Sequence, residues 1–158
     1  MKHLSSYEHQ GVKFYDISGV LEHEFNKSIA QLHAMINFDY DLILGLESRG
    51  FIIGAGLSVM TNKGLVMCRK PGKLPGEVIE VNYEKEYGKD TLCVQKDALN
   101  GKRILIADDI LATGGSLRAA IELVEKAGGQ VAGFAGLLGL KEFQKNWPET
   151  KICLLKRV

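Results

Sequence analysis

Five short apolar runs punctuate this chain: DLILGL at 41–46, LVMC at 65–68, RILIA at 103–107, VAGFAGLLGL at 131–140 and ICLL at 152–155. Continuous runs of this kind suit strands buried on both faces, as strands of a parallel sheet are. Stripes at helical spacing lie between them. Phe25, Ile29, Leu32 and Ile36 recur at steps of four, three and four, and a small-residue helix is expected from about Phe51 to Met60. Leu117, Ala120, Ile121, Val124 and Ala127 make a further stripe, closed by Gly128-Gly129 as a cap. Alternating strand and helix predicts a doubly wound α/β fold, a mostly parallel sheet with helices on both faces. One region breaks the pattern. VIEVNY (78–83) and DTLCVQ (90–95) alternate in polarity around Glu-Tyr-Gly, which predicts a hairpin or extended flap. KPGKLPGE, just before it, holds two of the three prolines and reads as a loop.

No repeat or linker divides the 158 residues, so a single domain over 1–158 is expected. The formal net charge is +1, which leaves no global basic field for nucleic acid or an acidic membrane. No apolar run approaches the ~20 residues of a membrane span. The start, MKHLSSYEHQ, lacks the apolar stretch of a secretory signal. Cys68, Cys93 and Cys153 are odd in number and widely spaced, which fits buried thiols in a reducing cytoplasm better than a disulfide framework. His3, His9, His23 and His33 have no paired spacing, so none is assigned to a metal or to catalysis.

In an open parallel sheet, ligands bind outside the carboxyl ends of the strands. Three such ends carry unusual chemistry here: Glu47-Ser48-Arg49-Gly50, Arg69-Lys70, and Asp108-Asp109 through Ser116. If the strands are parallel, these charges converge on one crevice. The last stretch, RILIADDILATGGS, runs from a buried strand into two carboxylates and a glycine turn. Glycines let backbone N–H groups approach an anion, and a helix N-terminus adds free donors and positive partial charge. Thr113 and Ser116 add hydroxyls. TGGS by itself reads first as an ordinary strand-to-helix turn capped by Thr113. The acid pair tips the balance, because two carboxylates accept from vicinal hydroxyls while the turn takes a phosphate. A sugar 5-phosphate satisfies both. A Walker loop is excluded, since Ser116 and Leu117 follow Gly115 where Lys is needed. A dinucleotide fingerprint is excluded too, since Val59 stands at the third glycine position after Gly54 and Gly56.

IADDILATGGS resembles the phosphoribosyl-pyrophosphate (PRPP) signature of type I phosphoribosyltransferases. LGLESRGF, RKPGKLPGE, YEKEYGKDTL and QKDAL extend the resemblance in order from about Gly11 to Leu138, and Glu86-Tyr87-Gly88 ahead of QKDAL narrows it to the adenine branch. The resemblance implies a reaction of adenine with PRPP that gives AMP and pyrophosphate. It implies Mg²⁺ held mainly by PRPP, no nucleic-acid or membrane partner, and a homodimer in the cytoplasm. By the same resemblance, Asp108 and Asp109 bind the ribose hydroxyls, and Ala112, Thr113, Gly114, Gly115 and Ser116 hold the 5-phosphate. Ser48, Arg49, Arg69 and Lys73 serve the pyrophosphate, and the Glu47–Ser48 peptide is expected to be cis. Residues 1–20 form a hood over the base, with Lys13 and Tyr15 reading its edge and Phe14 and Ile110 sandwiching it. Residues 70–96 form a flexible lid and hairpin. Glu86 exchanges a proton with the purine, Arg49 aids catalysis, and Tyr87 covers the ribose or anchors the hairpin.

The chain departs from the family in places. The longer N-terminal helix and Pro-rich lead-in are missing, Tyr15 stands where arginine is common, and Ser116 replaces threonine. Three other readings stay open: a transferase for another base, a PRPP-sensing regulator without catalysis, and a generic nucleotide-binding module.

Overall fold

The computed structural model describes residues 1–9, 12–85 and 88–158. The chain opens on an antiparallel pair, Ser5–His9 (β1) and Val12–Asp16 (β2), followed by helices Ser18–His23 (α1) and Phe25–Met35 (α2). Leu42–Leu46 (β3), Gly50–Thr61 (α3) and Gly64–Cys68 (β4) come next. Val78–Lys85 (β5) and Gly88–Gln95 (β6) pair antiparallel. Arg103–Leu111 (β7), Gly115–Lys126 (α4), Gln130–Gly139 (β8), a 3₁₀ turn at Lys141–Asn146 and Ile152–Arg157 (β9) complete the fold.

Five strands form the central sheet in the order β4-β3-β7-β8-β9, and every neighbouring pair is parallel. Successive side chains of a strand point to opposite faces. On β7, Ile104 and Ile106 join one apolar cluster with Leu117, Leu123 and Val124 of α4, while Leu105 and Ala107 join the other with Leu32 of α2 and Ile53 and Leu57 of α3. Both faces are covered, which is why the strand sequences read as unbroken apolar runs. Among the described residues no helix is long and apolar enough to cross a membrane.

Three features differ from the sequence expectation. First, β7 does not stop before its aspartates. Asp108 pairs with Gly136, Ile110 with Leu138 and Leu111 with Gly139, because β8 is long enough to offer partners to the end. The carboxylates therefore ride on a ladder, not on a loop. Second, the hairpin is no free flap at its base. Val81, Leu92, Cys93 and Val94 are buried, and Arg69 and Cys93 exchange backbone hydrogen bonds of 2.9 and 2.8 Å at the sheet edge. Third, Thr113 does not cap α4. The N-cap is Gly114, at φ 84°, and no side chain bonds there.

Candidate active site

The cleft is built where β3 and β7 end. Asp109 is 3% exposed, and its N–H donates to Asp108 Oδ1 at 2.9 Å. Arg49 Nε stands 2.9 Å from Asp109 Oδ2, close enough for an ion pair but without the angle of a hydrogen bond. Oδ2 thus stays a buried acceptor with no hydrogen-bond donor among the described residues. Burial, and then the neighbouring Asp109 charge, push the Asp108 carboxyl well above the usual aspartate range. Burial also raises Asp109, against the pull of the Arg49 guanidinium. A buried Asp109 with a spare acceptor, beside a half-buried Asp108, suits neutral hydroxyl donors.

The turn after β7 is tied from behind. Trp147 Nε1 donates to Ala112 O at 2.7 Å, and Arg118 donates to Thr113 O at 3.3 Å and to Asn146 O. Among the described residues no acceptor is found for the N–H groups of residues 113–117. With α4 beginning at Gly115, they form an anion cradle.

Across the cleft, the peptide Glu47–Ser48 is cis. Ser48 and Arg49 are exposed, and α3 starts behind them at Gly50. A Cβ on Gly50 would lie 2.5 Å from Ala107 O and 3.2 Å from Asp108 Cα, so only glycine lets this loop meet β7. Glu47 accepts from Lys70 N at 2.8 Å and from Arg69 Nε at 3.3 Å, and these partners hold its carboxyl below the usual range, the Lys70 N–H most strongly. Arg69 in turn donates to Lys73 O at 3.4 Å.

The β1–β2 pair roofs the cleft. Tyr7 and Phe14 are cross-strand partners whose rings stack at 5.6 Å and 16°, and Lys13 Nζ lies 5.2 Å from the Tyr15 ring centre. The space enclosed is about 600 Å³. Of the residues singled out from sequence, Lys13, Phe14, Tyr15, Ser48, Arg49, Asp108, Asp109, Ile110 and Ala112 line it. Thr113, Gly114, Gly115 and Ser116 continue the wall into α4. Arg69 and Lys73 sit outside the lining, Arg69 beside Glu47 and Lys73 bonded through its carbonyl to Arg69. Glu86 and Tyr87 lie outside the described residues. Sequence reasoning missed Tyr7 and Leu140 as lining residues and Glu47 as the brace between loops.

Comparison with known proteins gives a consistent picture. The model of the phosphoribosyl transferase domain matches residues 16–154. An adenine phosphoribosyltransferase of Rubrobacter xylanophilus is 48% identical over 146 residues, 89% of this chain and 78% of its own. One from Caldicellulosiruptor saccharolyticus is 46% identical over 143 residues, 88% of this chain and 82% of its own. The crystal structure of adenine phosphoribosyltransferase from Thermoanaerobacter pseudethanolicus matches with a TM-score of 0.92 at 39% identity, covering 99% of this chain and 96% of that one. The Saccharomyces cerevisiae enzyme, solved with an imino-altritol bisphosphate and adenine, gives 0.88 at 34% identity over 98% of this chain and 95% of that one.

Proposed function

The chain belongs to the phosphoribosyl transferase family, and on that premise we infer that it transfers the phosphoribosyl group of PRPP to adenine, making AMP and pyrophosphate in purine salvage. The observation that carries the site assignment is the joining, in one cleft, of an acid pair with a buried spare acceptor, a donor-rich turn and a stacked aromatic roof.

Asp108 and Asp109 take the ribose 2- and 3-hydroxyls, and Asp109 Oδ2 supplies a ready acceptor. Residues 112–116 wrap the 5-phosphate with backbone N–H groups. Ser48 and Arg49 take the pyrophosphate, and Arg69 and Lys73 add positive charge beside it. Phe14 and Ile110 hold adenine between them, with Tyr7 backing Phe14 and the backbone near Lys13 and Tyr15 reading the base edge. Breaking the bond to pyrophosphate leaves a cationic ribose, so neutralising the leaving group is the central task. Arg49 contributes there directly. Glu86 removes the purine proton as adenine N9 attacks. The outer end of segment 70–96 shields the reacting sugar from water, and residues 1–20 act as the hood, within a single domain over 1–158.

Among the described residues no three His, Cys, Asp or Glu side chains gather as a metal cage. The PRPP oxygens themselves would hold most of the Mg²⁺ coordination. When bound, the ion neutralises charge on the pyrophosphate. A second copy of the chain would cover the apolar groove of about 620 Å³ formed by Phe25, Ile29, Phe51, Ile52, Val59 and Met60, where Val59 is 87% exposed. The three free, buried cysteines fit a cytoplasmic setting.

The test is pyrophosphate release from PRPP and Mg²⁺ with each nucleobase in turn. Adenine is expected to support rapid turnover and the other bases far less. Equal turnover with another purine would reassign the base, and PRPP binding without release would make the chain a sensor.

A further inference from the structure

Tyr83 lies near the outer end of β5, and its hydroxyl touches two separate parts of the chain. It stands 3.1 Å from Asp90 Oδ2 on β6 and 3.4 Å from Ser116 Oγ in the first turn of α4. Lys70, at the end of β4, pairs with the same Asp90 oxygen. Proton counting fixes the directions of these bonds. A tyrosine hydroxyl has one proton, and a carboxylate paired with an ammonium group accepts. Tyr83 therefore donates to Asp90, and Ser116 must donate to Tyr83. The chain of bonds runs from Ser116 through Tyr83 to Asp90.

Ser116 also has a single proton, and a phosphate in the adjoining turn accepts it. The Ser116–Tyr83 contact is the longer of the two bonds and the weaker. A charged acceptor makes the stronger bond. We propose that Tyr83 is a positioning residue that competes with the 5-phosphate for the Ser116 proton, so that filling the phosphate turn releases Tyr83 from α4 and loosens the outer end of the β5–β6 hairpin, which Lys70 still holds through Asp90. This rests on the reading of residues 112–116 as the phosphate site. Movement is confined to the outer rungs, because Val81, Leu92 and Val94 keep the root in the core.

Amide hydrogen exchange with ribose 5-phosphate as the probe tests this. In the unmodified protein, saturating ribose 5-phosphate is expected to slow exchange in the first turn of α4 and to speed it at least about threefold in residues 82–85 and 88–91, the size of one modest hydrogen bond. In Tyr83→Phe the outer hairpin exchanges fast from the start, gains nothing further, and ribose 5-phosphate binds about threefold more tightly. A residue with only a structural role would weaken binding when altered. Ser116→Ala should also exchange fast in the hairpin and be insensitive to the sugar phosphate. The proposal is overturned if the sugar phosphate leaves residues 82–85 and 88–91 unchanged or slows them while protecting α4, or if Tyr83→Phe binds no tighter. No protection of α4 at all would remove the phosphate site itself, and this coupling with it.

Discussion

β1–β2 and β5–β6 are both two-stranded antiparallel ladders beside the cleft, yet they are held in place by different means. No described side chain of β1 or β2 is buried, and Phe14 and Tyr7 are 43% and 61% exposed. β5 and β6 sink Val81, Leu92 and Val94 into the core under α4. An isolated two-stranded hairpin is marginal in water. The first pair must therefore draw its order from the neighbours it touches and from what it binds. The second divides into a root that belongs to the core and an outer end left available for function.

Substitutions at matched places can break or sharpen this contrast. The largest effect is expected at Glu86, between the two strands of the second pair in sequence. Glu86→Gln should lower kcat by about 10²–10⁴ in steady-state assays while calorimetry still shows PRPP binding. Turnover near that of the unmodified protein would take Glu86 out of the chemistry. The root should behave in the opposite way: Leu92→Ala should cost about 2–4 kcal/mol in denaturant unfolding, as for other buried leucines. In the roof, Phe14→Ala should raise the KM for adenine about tenfold, from lost stacking on the base. Its unfolding free energy should move by less than about 0.5 kcal/mol, as for other exposed positions. A large stability loss there would erase the distinction between the two pairs.

The smallest effect concerns the floor between them. The Asp108 carboxyl is raised in the folded protein, so the folded state holds the proton more tightly than the unfolded chain. Stability then falls as pH rises from the ordinary aspartate range through the raised value. Thermal unfolding of the ligand-free Asp108→Asn protein should show a shallower decline between pH 4 and pH 8. An unchanged slope would mean that other groups set the pH response.

The sheet was legible from sequence because both its faces are buried, so β3, β7 and β8 show as apolar runs wherever they are paired. Strand ends were less legible. Aspartate disfavours strands, and it is the pairing with Gly136, Leu138 and Gly139 on β8 that carries β7 past Asp108 and Asp109. The β1–β2 pair was harder still, since exposed short strands carry no burial pattern. For the site, the glycine turn and acid pair announced themselves by chemistry. Tyr83 and Glu47 did not, because each acts through residues far away in sequence that only the folded chain brings near.

Gly50 carries a final consequence. Its bare α-carbon sets the start of α3 directly against the backbone of β7, with no side chain between to compress or swing aside. In the assignment above, the pyrophosphate loop and the diol strand form the jaws of a gauge whose opening is fixed by main-chain contact. A sugar one atom longer or shorter between its phosphoryl groups would meet jaws that cannot slide. Selection by length would then depend on a hydrogen atom where every other residue type carries a carbon.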